Sequence, residues 1–236
     1  MPAILHIETA TQVCSVALSL DGQIMAWRES SEPNAHSARI AVFVEEIMRE
    51  TGTPFNRLGA ISVSKGPGSY TGLRIGVSTA KGLCYALGIP LIAVDTLEAM
   101  AGGLIRRLES EGAVIPGNTL YCPMIDARRM EVFTAIFDGG LASILSTRAE
   151  VVTADSFSSL RENHVIWFFG DGAEKCRHLI QGPGSMFRDD LYPSAKFLVP
   201  LAERLLMEGK TVDPAYFEPY YLKDFIPGIP HVKGLR

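Results

Sequence analysis

Cysteine is scarce in this chain of 236 residues: Cys14, Cys84, Cys122 and Cys176 are widely spaced, each in or beside an apolar run, with no Cys-x-x-Cys pair. That spacing argues against a disulfide framework or a cysteine zinc site and predicts reduced, buried thiols. The opening Met1 to Ile7 has only a brief apolar stretch, so a secretory leader is not expected. No run approaches the roughly 20 apolar residues of a bilayer-crossing helix. A cytoplasmic protein without membrane association is therefore expected. Histidine is also sparse. His6, His36, His164, His178 and His231 are scattered without short ligand spacing, so none is read as a metal ligand. An excess of positive charge is missing too. With 22 Lys and Arg against 26 Asp and Glu, the net charge of −4 argues against tight nucleic-acid binding by the chain alone.

Apolar residues are plentiful at 47%, enough for real cores in one large or two small domains. Ile4 to Ile7 reads as a strand, and Cys14, Val16, Leu18 and Leu20 alternate with small residues to mark a second with one buried face. Asp21-Gly22 suits a hairpin turn, and Ile24 to Trp27 returns as a third strand. A helix follows, capped near Asn34 or Ser37, with an apolar stripe of Ile40, Phe43, Val44, Ile47 and Met48. Next come a strand at Ala60 to Ser64, a helix from about Thr71 to Leu87 and a strand at Leu91 to Val94.

Between those last strands lies Ser64-Lys65-Gly66-Pro67-Gly68-Ser69-Tyr70-Thr71-Gly72-Leu73-Arg74-Ile75-Gly76, a strand running through a glycine-proline turn into a helix. Ser69 or Thr71 can cap that helix, and free amides at its start suit an anion. Nucleotide motifs fit badly, however. Lys65 precedes the glycines where a Walker A lysine follows them, and the third glycine of a dinucleotide fingerprint is missing. A tight structural turn is the preferred reading.

The order recurs. Tyr121 to Ile125, Met130 to Phe137 and Ala142 to Ser146 form a second meander, a helix capped near Thr153 leads to a strand at Val165 to Phe169, and Gly170-Asp171-Gly172 opens another helix. Ala195 to Met207 adds a late helix. Two copies of this arrangement predict an α/β fold of two lobes, each a mixed sheet flanked by helices, as in actin, sugar kinases and heat-shock ATPases. The expected lobes are 1–103 and 104–236, with the boundary near Ala101 to Gly117 and an irregular tail after about 225 around Pro227, Gly228 and Pro230.

Three ordered signatures, Ile7-Glu8-Thr9-Ala10-Thr11, Gly66 to Arg74, and Asp126-Ala127-Arg128-Arg129-Met130-Glu131-Val132, resemble the bacterial TsaB (YeaZ) family over nearly the whole chain. The resemblance implies a noncatalytic partner of the related enzyme TsaD. TsaD transfers a threonylcarbamoyl group to the tRNA adenosine next to the anticodon, giving N6-threonylcarbamoyladenosine, and the ATPase TsaE joins that system. It implies no catalytic residue here, a homodimer when TsaD is absent, tRNA met indirectly, and ATP or ADP only at the level of the complex. TsaD-like proteins carry metal-binding histidines four apart where this chain has Thr96 and Met100. A hydroxyl and a thioether make a poor replacement for two imidazoles on one helical face.

Gly72, Gly76 and Ala80 recur every four residues and leave a bare stripe on which another helix could pack. That stripe and Ile40, Phe43, Val44 and Ile47 are the expected partner surface; packing on the protein's own sheet is the alternative. Glu8, Thr9 and Thr11 stand where the actin-like fold has its first phosphate loop and are the nucleotide candidates, although such residues also cap turns. Asp126, Arg128, Arg129 and Glu131 suit a polar contact surface. Lys223, Lys233 and Arg236 give the tail local positive charge. Competing functions are an independent ATPase or acyltransferase, or a glycoprotease-like metallopeptidase, which would need a metal-bound water that the histidine spacing does not supply.

Overall fold

The computed structural model describes residues 2–32 and 36–223. The expected cap at Asn34, the tail beyond 225, His231, Lys233 and Arg236 lie outside them. The first meander is β1 (Ala3–Glu8), β2 (Cys14–Leu20) and β3 (Gln23–Ser30), followed by α1 (His36–Glu50), β4 (Leu58–Gly66), α2 (Tyr70–Leu87) and β5 (Leu91–Asp95). β1 pairs antiparallel with β2 from Ala3↔Leu20 to Glu8↔Ser15 and parallel with β4, giving the sheet order β3-β2-β1-β4-β5.

Every residue of β1 is buried because helices cover both faces of its sheet. Leu5, Ile7 and Val16 pack with Ile40, Phe43, Val44 and Ile47 of α1 and Val77 and Ala80 of α2. The alternate residues face the other way, where Ile4, Ala60, Ile92 and Val94 meet Leu198, Leu201 and Ala202. The latter three belong to α6 (Ala195–Met207). The last helix therefore packs on the first sheet, although it was expected to belong to the 104–236 lobe.

The second sheet repeats the plan with β6 (Thr119–Asp126), β7 (Glu131–Phe137), β8 (Ser143–Val151), β9 (Val165–Phe169) and β10 (Ser185–Arg188), in the order β10-β9-β6-β7-β8. β10 was not foreseen. The helices expected after Thr153 and Gly172 shrink to the four-residue α4 (Ser158–Arg161) and α5 (Ala173–Cys176). All four cysteines are buried free thiols.

One continuous helix, α3 (Thr96–Ser110), stands where the lobe boundary was expected, so a cut at 103/104 falls inside it. Gly102 and Gly103, inside the expected boundary region of Ala101 to Gly117, are buried within it. A Cβ on Gly103 would lie 2.6 Å from the Phe197 ring of α6, so glycine lets these two helices cross closely. None of the described helices is long and apolar enough to cross a membrane.

Candidate functional site

The carboxyl ends of β1, β4 and β5 meet at the glycine turn. Glu8 closes β1, fully buried, and its Oε1 accepts from Ala10 N (2.6 Å) and Ser64 Oγ (2.8 Å). Burial pushes this carboxyl up to about 7, against the hydrogen bonds that favour its charged form. Thr11 Oγ1 accepts from Val13 N at 3.4 Å. Thr9 lies buried against α2, and its Oγ1 has no hydrogen-bond partner among the described residues. Deeper in the same sheet, His6 is held between Ser62 Oγ (2.7 Å) and Ser19 Oγ (2.8 Å), and burial pulls it down to about 3.

The glycine turn spends its polar groups internally. Gly66 N donates to Thr96 Oγ1 (3.2 Å), Ser69 N donates to Ala10 O (2.7 Å), and Ser69 Oγ caps α2 by accepting from Gly72 N (3.3 Å). A Cβ on Gly68 would sit 2.3 Å from Ala10 O, and one on Gly72 2.2 Å from Thr9 O. The glycines thus let two loops of one chain touch, as the structural reading of this motif expects. Of the nucleotide candidates, Glu8 bonds Ser64 at the start of the turn and Thr9 packs against Gly72 and Gly76, whereas Thr11 bonds Val13 N.

The expected partner stripe points inward. Gly72, Gly76 and Ala80 are buried, and a Cβ on Gly76 would meet Thr9 Oγ1 at 2.2 Å. Ile40, Phe43, Val44 and Ile47 fill the core between α1 and the sheet. These side chains are covered within the chain because the first sheet needs its apolar face closed. The outward row of α2 is instead Arg74, Ser78, Gly82 and Ala86, beside Tyr85, and the neighbouring α1 exposes Ala38, Ala41 and Val42. Tyr85 is 91% exposed, and a Cβ on Gly82 would meet nothing within 4 Å among the described residues. Rows 72-76-80 and 78-82-86 are both small-residue rows in the sequence, and only contact with the sheet tells them apart.

Thr96 and Met100 are fully buried on one face of α3. The Thr96 hydroxyl accepts from the glycine turn, and the Met100 methyl packs where a Cβ on Gly170 would lie, 2.9 Å away. This donor set does not fit a transition metal. Among the described residues no group of three His, Cys, Asp or Glu side chains is placed to hold one.

In the second lobe the β6–β7 turn mirrors the first. Asp126 Oδ1 accepts from Arg128 N (2.7 Å), Asp171 Oδ1 accepts from Asp126 N (3.1 Å), and Lys175 Nζ donates to the carbonyls of Arg129 and Glu131 (both 2.7 Å). Arg128 and Arg129 are exposed at positive φ, 71° and 51°. On another side of the lobe junction a cavity of about 330 Å³ is lined by residues that include Glu29, Arg107, Asp190 and Lys196. Its cations are already matched, Lys196 with Glu29 at 3.5 Å and Arg107 with Asp190.

The family model described as TsaD, tRNA N6-adenosine threonylcarbamoyltransferase, matches residues 30–178. The tRNA threonylcarbamoyladenosine biosynthesis protein TsaB of Escherichia coli (strain K12) is 34% identical over 227 residues, 94% of each chain. The protein of the same name from Bacillus subtilis (strain 168) is 32% identical over 181 residues, 75% of each. Among solved structures, YeaZ from Pseudomonas aeruginosa aligns at 26% identity with a TM-score of 0.77, covering 94% of this chain and 100% of that one. The activator of 2-hydroxyisocaproyl-CoA dehydratase from Clostridium difficile with bound ADPNP shares the fold alone, with a TM-score of 0.51 at 10% identity over 88% of this chain and 96% of that one. The architecture is the duplicated actin-like ATPase fold, two lobes each with a mixed sheet flanked by helices. In sequence and in fold, the chain belongs to the TsaB (YeaZ) family of tRNA threonylcarbamoyladenosine biosynthesis proteins.

Proposed function

We propose that this chain takes part in forming N6-threonylcarbamoyladenosine on tRNA as a noncatalytic subunit that docks on and supports a TsaD-type transferase. The observation that carries this reading is the filling of the α3 face. Thr96 and Met100 are tied to the glycine turn and Gly170, so the position of the TsaD-like histidine pair is packed interior. The glycine turn adds to it, because its amides already serve Ala10, Ser69 and Thr96 of the same chain. The chain requires no cofactor of its own, and any ATP or ADP belongs to the complex in which TsaE joins.

The docking face in this reading is the outward side of α1 and α2. Glycine in an exposed helix interior costs about 1 kcal/mol relative to alanine. Nothing among the described residues explains that choice at Gly82, whereas a second helix lying across Ser78, Gly82 and Ala86 does. A second copy takes the same face when TsaD is absent, giving a homodimer, and tRNA is met through the complex.

Reconstitution tests the role. With purified TsaD and TsaE, tRNA modification read by nucleoside mass spectrometry should depend on adding this chain, and modification that proceeds equally without it would overturn the proposal. The independent ATPase and the metallopeptidase would be favoured instead by turnover of the isolated chain, of ATP or of peptide.

A further inference from the structure

The chain beyond α6 returns to the glycine turn. Val212 N donates to Leu91 O (2.9 Å) at the free edge of β5, and Lys81 Nζ on α2 reaches the carbonyls of Phe217 (3.0 Å) and Ala215 (3.4 Å). Tyr220 N then donates to Lys65 O (2.7 Å), and Tyr220 O occupies the space above Gly66, 2.7 Å from where a Cβ would stand. The Tyr221 ring lies 4.6 Å from that of Tyr70, over which the Arg74 guanidinium sits at 5.5 Å. One residue later the chain has changed lobes. Leu222 packs against the second-lobe core that holds Tyr121, Ile125 and Phe133, and Lys223 forms an ion pair with Glu131, the first residue of β7.

We propose that residues 213–223 are a strap that holds the two lobes together across the glycine turn and opens as a unit. A second connection between lobes among the described residues is of a different kind. There α3 crosses α6 with Phe197 pressed on Gly103, a buried contact suited to act as a hinge. Among the described residues, the strap's last four are tied to the lobes by the Tyr220 N to Lys65 O hydrogen bond, a tilted ring pair, the edge of a core and an ion pair whose lysine is 45% exposed. Partly exposed contacts of these types are individually weak, which places the strap among segments that open without global unfolding. The inference does not depend on the tRNA-modification role, since every contact lies within the free chain.

Hydrogen exchange of the full chain tests it. In Tyr221→Ala, exchange should rise roughly tenfold in three separate segments, 216–223, 65–73 and 129–133, while the urea midpoint stays close to wild type. Tyr70→Ala, which cuts the ring contact from the other side, should give the same three segments. Acceleration confined to 216–223, or to 65–73 in the second variant, would mean the strap decorates one lobe without linking two. Acceleration spread evenly through the α3 and α6 amides would mean global destabilisation, and either result overturns the proposal.

Discussion

Gly76 and Gly82 share a helix, six residues apart, and do opposite work. At Gly76 a side chain would collide with Thr9 Oγ1, while at Gly82 it would enter open space. Gly76→Leu should therefore destabilise the chain by roughly 3 kcal/mol or abolish soluble folding. Gly82→Leu should raise stability by up to about 1 kcal/mol, because it removes an exposed helix glycine. The same variant should weaken TsaD binding at least tenfold. Urea melts and titration with TsaD read the two effects separately, and undiminished binding of Gly82→Leu would exclude α2's outer row from the interface.

Glu8 and His6 make stability depend on pH in opposite senses. The Glu8 carboxyl titrates near 7 in the fold against 4.5 in the unfolded chain, so the fold binds its proton more tightly. Its contribution is full below 4.5 and is lost as pH rises through about 7. His6 falls from 6.5 to about 3, so its contribution is full above 6.5 and is lost as pH falls toward 3. Glu8→Gln should therefore be more stable than wild type above pH 7, by up to roughly 3 kcal/mol, and equal to it below pH 4.5. Urea midpoints across pH 4 to 8 check this, and a difference that does not change with pH would exclude titration of Glu8 as its source.

At the scale of elements, α3 shows how a helix was overlooked. Asp95 caps it by accepting from Leu97 N (3.0 Å) and Glu98 N (3.2 Å), and Asp followed three residues later by Glu is a start signal present in the sequence. The segment instead reads as the lobe boundary near Ala101 to Gly117, and the helix runs through it with Phe197, 94 residues further on, lying against Gly103. Asp95→Ala should cost about 1 to 2 kcal/mol in denaturant unfolding, and Asp95→Asn clearly less, since an amide oxygen also caps. The meander β1 to β3, by contrast, was legible in its order and turn, although β2 buries both faces from Cys14 to Ser19 and leaves Leu20 exposed where one buried face was expected. Period-two alternation and Asp21-Gly22 are local facts, and one register satisfies both.

At the scale of the molecule, the two lobes are not two consecutive halves of the chain. α6 closes the inner face of the first sheet over Ile4, Ala60, Ile92 and Val94, so residues near the end complete a core begun at the start. A chain ended after residue 192 should lose cooperative unfolding of the first lobe as well as the second, monitored by circular dichroism and by exchange in β1 and β4. Retention of a cooperatively folded first lobe would show that α6 is dispensable to it.

The sequence alone determined the first meander, the periods of α1, α2 and α6, the capped glycine turn, the recurring strand order and the buried thiols. Each of these depends on residue type and spacing along a short stretch. Only the tertiary structure decided which of α2's two small-residue rows is core, that Gly102 and Gly103 continue a helix, and that α6 and the strap return to the first lobe. Those outcomes depend on which apolar surface is left uncovered when distant segments meet, and burial of that kind has no local signature.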